Sequence, residues 1–185
     1  MRKTALLVSL TLTLLTSACA PSSNGPDSAT PQAPPPGASV QIHANLAQLM
    51  RGILYPNSNV IFAAQSTNPA EVKQASDAAT ATDPIASVYG GWMAIENSGL
   101  AIAESANLLM VPSRLCQNGK PVPIQNPDWA GFVKELRDAG MVAYKAAQSK
   151  NQDNILAAAD TLTTACAQCH DKYREKPGGD AERCM

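Results

Sequence analysis

Beyond residue 40, apolar side chains recur at three- and four-residue steps, the spacing that lines one face of an α-helix. The first run, Val40 to Leu54, carries Leu46, Leu49, Met50 and Ile53 on one stripe. Pro56 follows it; proline has no N–H to donate and its ring crowds the preceding turn, so the pattern predicts a kinked or broken helix there. Asn57-Ser58 recaps a continuation, Val60 to Ala64. A second helix is predicted to open at Asp83-Pro84, a capping residue followed by a first-turn proline. Its stripe is Ile85, Val88, Trp92, Ile95, Gly99, Ile102, Ala106 and Leu109, and Pro112 ends it. The third opens with the same device, Asn126-Pro127, and buries Trp129, Phe132, Leu136, Ala139 and Ala143. The fourth begins near Asn151 to Asp153, runs through Ile155, Ala158, Leu162, Cys166, Cys169 and Tyr173, and stops before Pro177-Gly178-Gly179. No segment alternates with the period of a strand. The pattern predicts an all-α domain over residues 40–176, an antiparallel up-down-up-down four-helix bundle, followed by a tail at 177–185.

The beginning of the chain has a different pattern. Arg2 and Lys3 precede an apolar stretch from Ala5 to Leu15 and then the small residues Ser17 and Ala18, the order of an export signal over residues 1–18. That stretch is shorter than the ~20 apolar residues that span a bilayer. Leu15-Thr16-Ser17-Ala18-Cys19 resembles a bacterial lipobox, in which Cys19 is lipidated and becomes the new N-terminus; Thr16 departs from the usual leucine. Plain secretion is the alternative. Residues 19–39 read as a tether, since six of the 14 prolines lie between Pro21 and Pro36. Both readings put the mature chain outside the cytoplasm, periplasmic or at the outer envelope face, where disulfides persist.

Composition narrows the function. Eight aromatics among 185 residues, and no basic block, exclude a nucleic-acid stacking surface. Two histidines, His43 and His170, exclude a multi-histidine metal site. The net charge is −1; without Arg2 and Lys3, 12 basic residues face 15 acidic ones, a charge of −3 that names no partner.

One motif carries chemistry. Cys166-Ala167-Gln168-Cys169-His170 is C-x-x-C-H, the attachment sequence for haem c. Two thiols at this spacing reach the two vinyl groups of one porphyrin edge, and the adjacent histidine comes under the iron as proximal ligand. A thioredoxin-like site would need the motif at a helix N-terminus, where the thiol pKa falls, and here it lies near a helix end. A structural zinc would need two more ligands, and Cys116, Cys184 and His43 are scattered. A disulfide within the motif suffers from poor geometry three residues apart on a helix.

Only 15 residues follow His170, so this arrangement resembles the class II c-type cytochromes, the cytochrome c′ group, where C-x-x-C-H ends the fourth helix of a bundle. The resemblance covers roughly residues 40–175. It rests on Gln48-Leu49-Met50-Arg51, Ala106-Asn107-Leu108-Leu109 and, most specifically, Cys166 to Arg174. The break at Pro56 and the few aromatics depart from the family. The resemblance implies pairing as a homodimer.

The second axial ligand is sought by depth, at ~1.5 Å per helical residue. Met93 comes out too far from the level of His170, Met110 sits on the diagonal helix and Met141 is off its apolar stripe, which leaves Met50. Met50 also coincides with the position where the methionine-ligated members of the family place this ligand. A five-coordinate iron with Met50 or Leu49 over an open face is the alternative, and His43 shares the face of Met50. In the up-down-up-down arrangement Cys116 and Cys184 fall at the haem end, where they form a disulfide or remain free thiols. Arg174 and Lys172, one turn past His170, are candidates to meet a haem propionate, and Tyr173 to pack beside the ring. No acid–base pair or nucleophile stands out near the motif, so the expectation is electron transfer with redox partner proteins rather than catalysis. The rival reading is a haem protein that binds or senses a small gas such as nitric oxide.

Overall fold

The computed structural model describes residues 40–77 and 83–184. The expected signal peptide, Cys19 and the tether lie outside the described residues. The described part is all-α, with four helices and no strand; the isolated pairing of Leu115 with Pro121 is the only β-type contact within it.

The first helix begins at Leu46, not at Val40. Asn45 and Gln48 form a reciprocal cap: each side-chain oxygen accepts the other's backbone N–H at 2.9 Å. This satisfies two of the orphan donors at a helix start, which residues 40–44 have no means of doing. The helix then runs as α1 (Leu46–Leu49), a π-helical turn (Met50–Leu54) and α2 (Tyr55–Ala63). Pro56 does not break it. The Tyr55 N–H donates to the Met50 carbonyl five residues back, and Pro56 follows as the second residue of α2. The Ile53 carbonyl accepts from Asn57 Nδ2 at 2.7 Å. The π turn inserts one residue into the apolar stripe. Leu46 and Leu49 are buried, and the next buried positions are Leu54, Ser58 and Ile61. An uninterrupted α-helix would have turned Ile53 and the amide of Asn57 inward instead.

The second helix also starts later than expected. Asp83 caps a single 3-10 turn, Pro84–Ala86, accepting from the Ile85 N–H at 3.0 Å. The chain then folds back: the N–H groups of Gly90 and Gly91 donate to the Ser87 and Ile85 carbonyls at 2.9 and 2.7 Å. Gly91 stands at φ +61°, where a side chain would be strained. Only after this turn does α3 (Trp92–Ser105) begin, and it tightens into a 3-10 segment, Ala106–Met110, before Pro112. Next, α4 (Trp129–Gln148) starts two residues beyond Asn126-Pro127. The Asp128 carboxylate does not cap it, because it is engaged by Tyr173. Finally, α5 (Gln152–Tyr173) opens on Asn151, whose Oδ1 accepts the Asn154 N–H at 3.0 Å.

The first helix packs on α3 and α5, α3 packs on α4, and α4 on α5. Ile61, Ile95, Ile102, Ile155 and Leu162 are fully enclosed among them. Gly99 and Gly140 bring the α3 and α4 backbones into direct contact. The loop after α3 is tied to the start of the first helix. The Leu46 N–H donates to the Leu115 carbonyl at 2.8 Å, and the buried Arg114 donates to the carbonyls of Leu108 and Ala44. Cys116 and Cys184 are joined as a disulfide, with Cα atoms 4.9 Å apart. No helix among the described residues is long and apolar enough to cross a membrane.

Candidate functional site

Cys166, Cys169, His170 and Tyr173 sit at steps of three, one and three in the last turns of α5, which aligns them on one helix face. Together they form one wall of a cavity of about 360 Å³. The facing wall comes from the first helix: Ala47, Met50, Arg51 and Leu54, continuing to Tyr55, Ser58 and Phe62. Leu109, Trp129, Phe132 and Leu136 complete a mostly apolar lining, and Cys184 closes one side. This volume lies within the ~300–1,000 Å³ of small-molecule and cofactor sites.

The structure sorts the residues singled out in the sequence. Met50 reaches the same cavity as Cys166, Cys169 and His170. His43 does not share its face: it precedes the helix and is exposed. Met93 is exposed on α3, while Met110 and Met141 are half-buried away from the cavity lining. Arg174 lines the cavity and pairs through Nε with Glu175 at 2.5 Å. Lys172 turns away from it toward Asp128, at 3.6 Å. Arg51 is a lining residue that reasoning from the sequence missed, although it stands next to Met50; its Nη2 donates to Gln117 Oε1 at 3.0 Å.

Burial pushes the Cys166 thiol up, against the pull of Arg174, and pushes Cys169 up to about 11, with the neighbouring Cys166, Asp128 and Glu135 adding to the effect. Both therefore stay protonated at neutral pH, the opposite of the thiolate that disulfide-exchange chemistry needs. Burial, and then the charge of Arg174, lower the His170 imidazole below its ordinary value, which favours the neutral, ligating form. Among the described residues no group of three or more His, Cys, Asp or Glu is placed to hold a metal ion.

Aromatic rings make the floor. Trp129 is buried, with Nε1–H donating to the Leu109 carbonyl at 3.2 Å. Tyr173 meets it edge-on at 4.9 Å between centroids and Phe132 at 6.1 Å. The Tyr173 hydroxyl donates to Asp128 Oδ1 at 2.5 Å and accepts from Asn126 Nδ2 at 3.2 Å, which ties the end of α5 to the start of α4. The hydrogen bond from Tyr173 is the main reason that the Asp128 carboxyl titrates below its ordinary 3.8, with the Lys172 charge acting the same way and partial burial opposing both. A carboxyl depressed in the folded state stabilises the fold above the unfolded value, and this contribution is lost as pH falls through the folded one. Tyr173→Phe keeps the ring contacts and removes the bond. Its urea midpoint is expected to fall below that of the parent near neutral pH, with the gap narrowing below about pH 4. A gap independent of pH would show that the carboxylate is not the partner that matters.

The chain beyond α5 is strapped to the loop after α3. Asn118 Nδ2 donates to the carbonyls of Asp180, Ala181 and Arg183 at 3.1, 3.2 and 2.8 Å, Lys120 Nζ donates to Ala181 at 2.7 Å, and the disulfide holds the end. Comparison of the chain with protein-family models, curated proteins and solved structures found no match in any of the three.

Proposed function

We propose that this chain is an exported c-type cytochrome of the class II kind. Its helices form an up-down-up-down bundle carrying one haem c on Cys166 and Cys169, and it passes single electrons between redox partner proteins. His170 is the proximal iron ligand and Met50 the distal one, with Arg174 beside a propionate. Cys19 anchors the mature chain to the envelope through lipid. The observation that carries the reading is one cavity with the C-x-x-C-H residues on one wall and Met50 on the other.

The residues present fit the group. The two thiols and the imidazole share a helix face, and the lining opposite is apolar enough to cover a porphyrin. When bound, the haem supplies the one-electron Fe(III)/Fe(II) couple. The chain supplies the setting. His170 is held neutral, the form in which a nitrogen lone pair is available to a metal. The Met50 thioether is a soft donor that favours the reduced state and so raises the potential. Trp129, Phe132, Tyr173 and Leu54 exclude water and disfavour extra charge in the cavity, which works in the same direction. Arg174 and Arg51 are the cations on the lining, where they can meet carboxylates of a bound group.

A pyridine haemochrome spectrum with intact-mass analysis counts covalent haems and reports lipid on Cys19. The native spectrum is expected to be low-spin with a methionine–iron charge-transfer band. Met50→Ala is expected to lose that band, to lower the potential and to bind exogenous carbon monoxide or imidazole. A high-spin five-coordinate parent, or a Met50→Ala spectrum identical to it, would remove the methionine ligand and move the reading to a gas-binding protein.

A further inference from the structure

Resting on the haem reading above, we infer that Arg114 sets the reduction potential of the iron. It holds a buried positive charge, uncompensated by any carboxylate, behind the part of the cavity wall made by Ala47 and Leu109, and this charge favours the reduced state.

Among the described residues Arg114 is the one charged side chain that is buried, at 5% exposed. None of the ion pairs among those residues includes it. Its Nε donates to the Leu108 carbonyl at 3.1 Å and its Nη1 to the Ala44 carbonyl at 2.5 Å. Leu108 belongs to the 3-10 segment that ends α3, so the guanidinium meets the negative end of a helix. Those contacts let the cation stay buried without an acid beside it. Carbonyl dipoles carry no net charge, so the interior there keeps one positive charge.

The loop after α3 places this charge. Pro112 and Ser113 turn the chain, and Ser113 stands at φ +67°, a left-handed conformation that a serine adopts only at a cost. The backbone beyond is held: the Val122 N–H donates to the Arg114 carbonyl at 3.0 Å, the Cys116 N–H donates to the Lys120 carbonyl at 2.8 Å, and the disulfide fixes Cys116 to Cys184. Both carbonyls that Arg114 grips adjoin the cavity. Leu109 follows Leu108, Ala47 stands three residues after Ala44, and Ala47 and Leu109 line the cavity. Oxidation of an iron there adds a positive charge, which a fixed cation opposes. A unit charge roughly 12 Å away, in an effective dielectric of about 20, shifts such an equilibrium by about tenfold. The other two arginines near the site differ. Arg51 is exposed and bonded to Gln117, and Arg174 is half-buried and paired with Glu175, so solvent and partners damp their fields.

The test is the midpoint potential of the full-length holoprotein, with haem content taken from the pyridine haemochrome and the native spectrum showing that the iron ligands are those of the parent. Arg114→Met removes the charge and keeps an apolar stem. At a fixed applied potential its Fe(II)/Fe(III) ratio is expected to fall about tenfold, which is about 59 mV for one electron. The gap is expected to persist from low to high salt, because a buried charge is screened little. Arg114→Lys keeps the charge but exchanges the fork of N–H groups for a single ammonium on a different stem, so the tie between Leu108 and Ala44 weakens. It is expected to lose stability in urea as Arg114→Met does, yet to hold the parent's potential. Lys134→Gln, which removes an exposed charge, is expected to leave the potential where it was. Where Arg114→Met does not fold, Arg114→Gln, whose amide still donates to one carbonyl, is read in the same way. A charge-free variant with the parent's potential, a gap that vanishes in high salt, or an Arg114→Lys potential as low as that of Arg114→Met overturns the inference and leaves the haem reading standing. A parent that carries no covalent haem overturns both, and is recognised by its own spectrum before any variant is made.

Discussion

A chain with serine at both Cys166 and Cys169 is expected to purify without covalent haem, from a host in which the parent comes out coloured. The two thiols are the only free cysteines among the described residues, and they stand one helical turn apart on the cavity wall. Each would form one thioether, so either single variant is expected to retain haem through the remaining bond, in lower yield. The double variant keeps His170, Met50 and the apolar lining, yet nothing then holds the group against dissociation. The measurement is the pyridine haemochrome combined with the mass of the denatured chain. The parent carries the mass of one haem and the double variant none. Covalent haem persisting in the double variant, or parent thiols that react freely with an alkylating label, would end the cytochrome reading. Failure of this test leaves the fold untouched, because none of the helix contacts described above depends on the group.

The largest effect on stability is expected at the crossing of α3 and α4. A Cβ on Gly99 would lie 2.7 Å from the Tyr144 nitrogen and 2.8 Å from the Gly140 carbonyl oxygen. A Cβ on Gly140 would lie 2.7 Å from the Gly99 carbonyl oxygen and 2.8 Å from the Ala103 nitrogen. All four obstructing atoms are backbone, so no side chain can swing aside and the two helices must separate. Trp129 and Phe132, which line the cavity, sit on the same α4, so the movement reaches the site. Gly99→Val and Gly140→Val are each expected to cost about 3 kcal/mol or more in urea unfolding, at the upper end of what overpacking does. Gly131, on the exposed side of the same helix, is the control: its Cβ would meet nothing within 4 Å. Gly131→Ala is expected to raise stability by about 0.5–1 kcal/mol, through a less flexible unfolded chain and a better helix residue. Equal effects at positions 99 and 131 would show that the helices do not approach as closely as these distances state.

The ease with which each helix could be read in the sequence tracks how local its determinants are. For α5, the cap at Asn151, the stripe through Ile155 and Leu162 and the stop before Pro177 all lie within the segment, and its boundaries could be read directly. The start of α3 could not. Asp83-Pro84 is a good cap, but the turn it opens ends after three residues, because Gly90-Gly91 folds the chain back before Trp92. The first helix departs from its hydrophobic pattern at both ends of its N-terminal half. Val40 extends an apolar stripe without a partner to cap it, and Pro56 reads as a breaker when a π turn can absorb it. Leu54 was missing from the expected stripe for the same reason: a period of 3.6 residues cannot anticipate a step of five.

What the sequence by itself determined is the chemistry on offer: two thiols and an imidazole at a spacing that places them on one helix face, a shortlist of methionines, and two further cysteines in segments flanking helices. Those are properties of residue identity and local period. That Arg51 joins the lining while Lys172 turns to Asp128, and that the segment after α5 is strapped over one side of the cavity were decided only by the tertiary structure. The physical reason is phase and reach. A helix carries its side chains round by a fixed angle per residue until something changes its pitch, and here a π turn over Met50–Leu54 changes it just before Pro56.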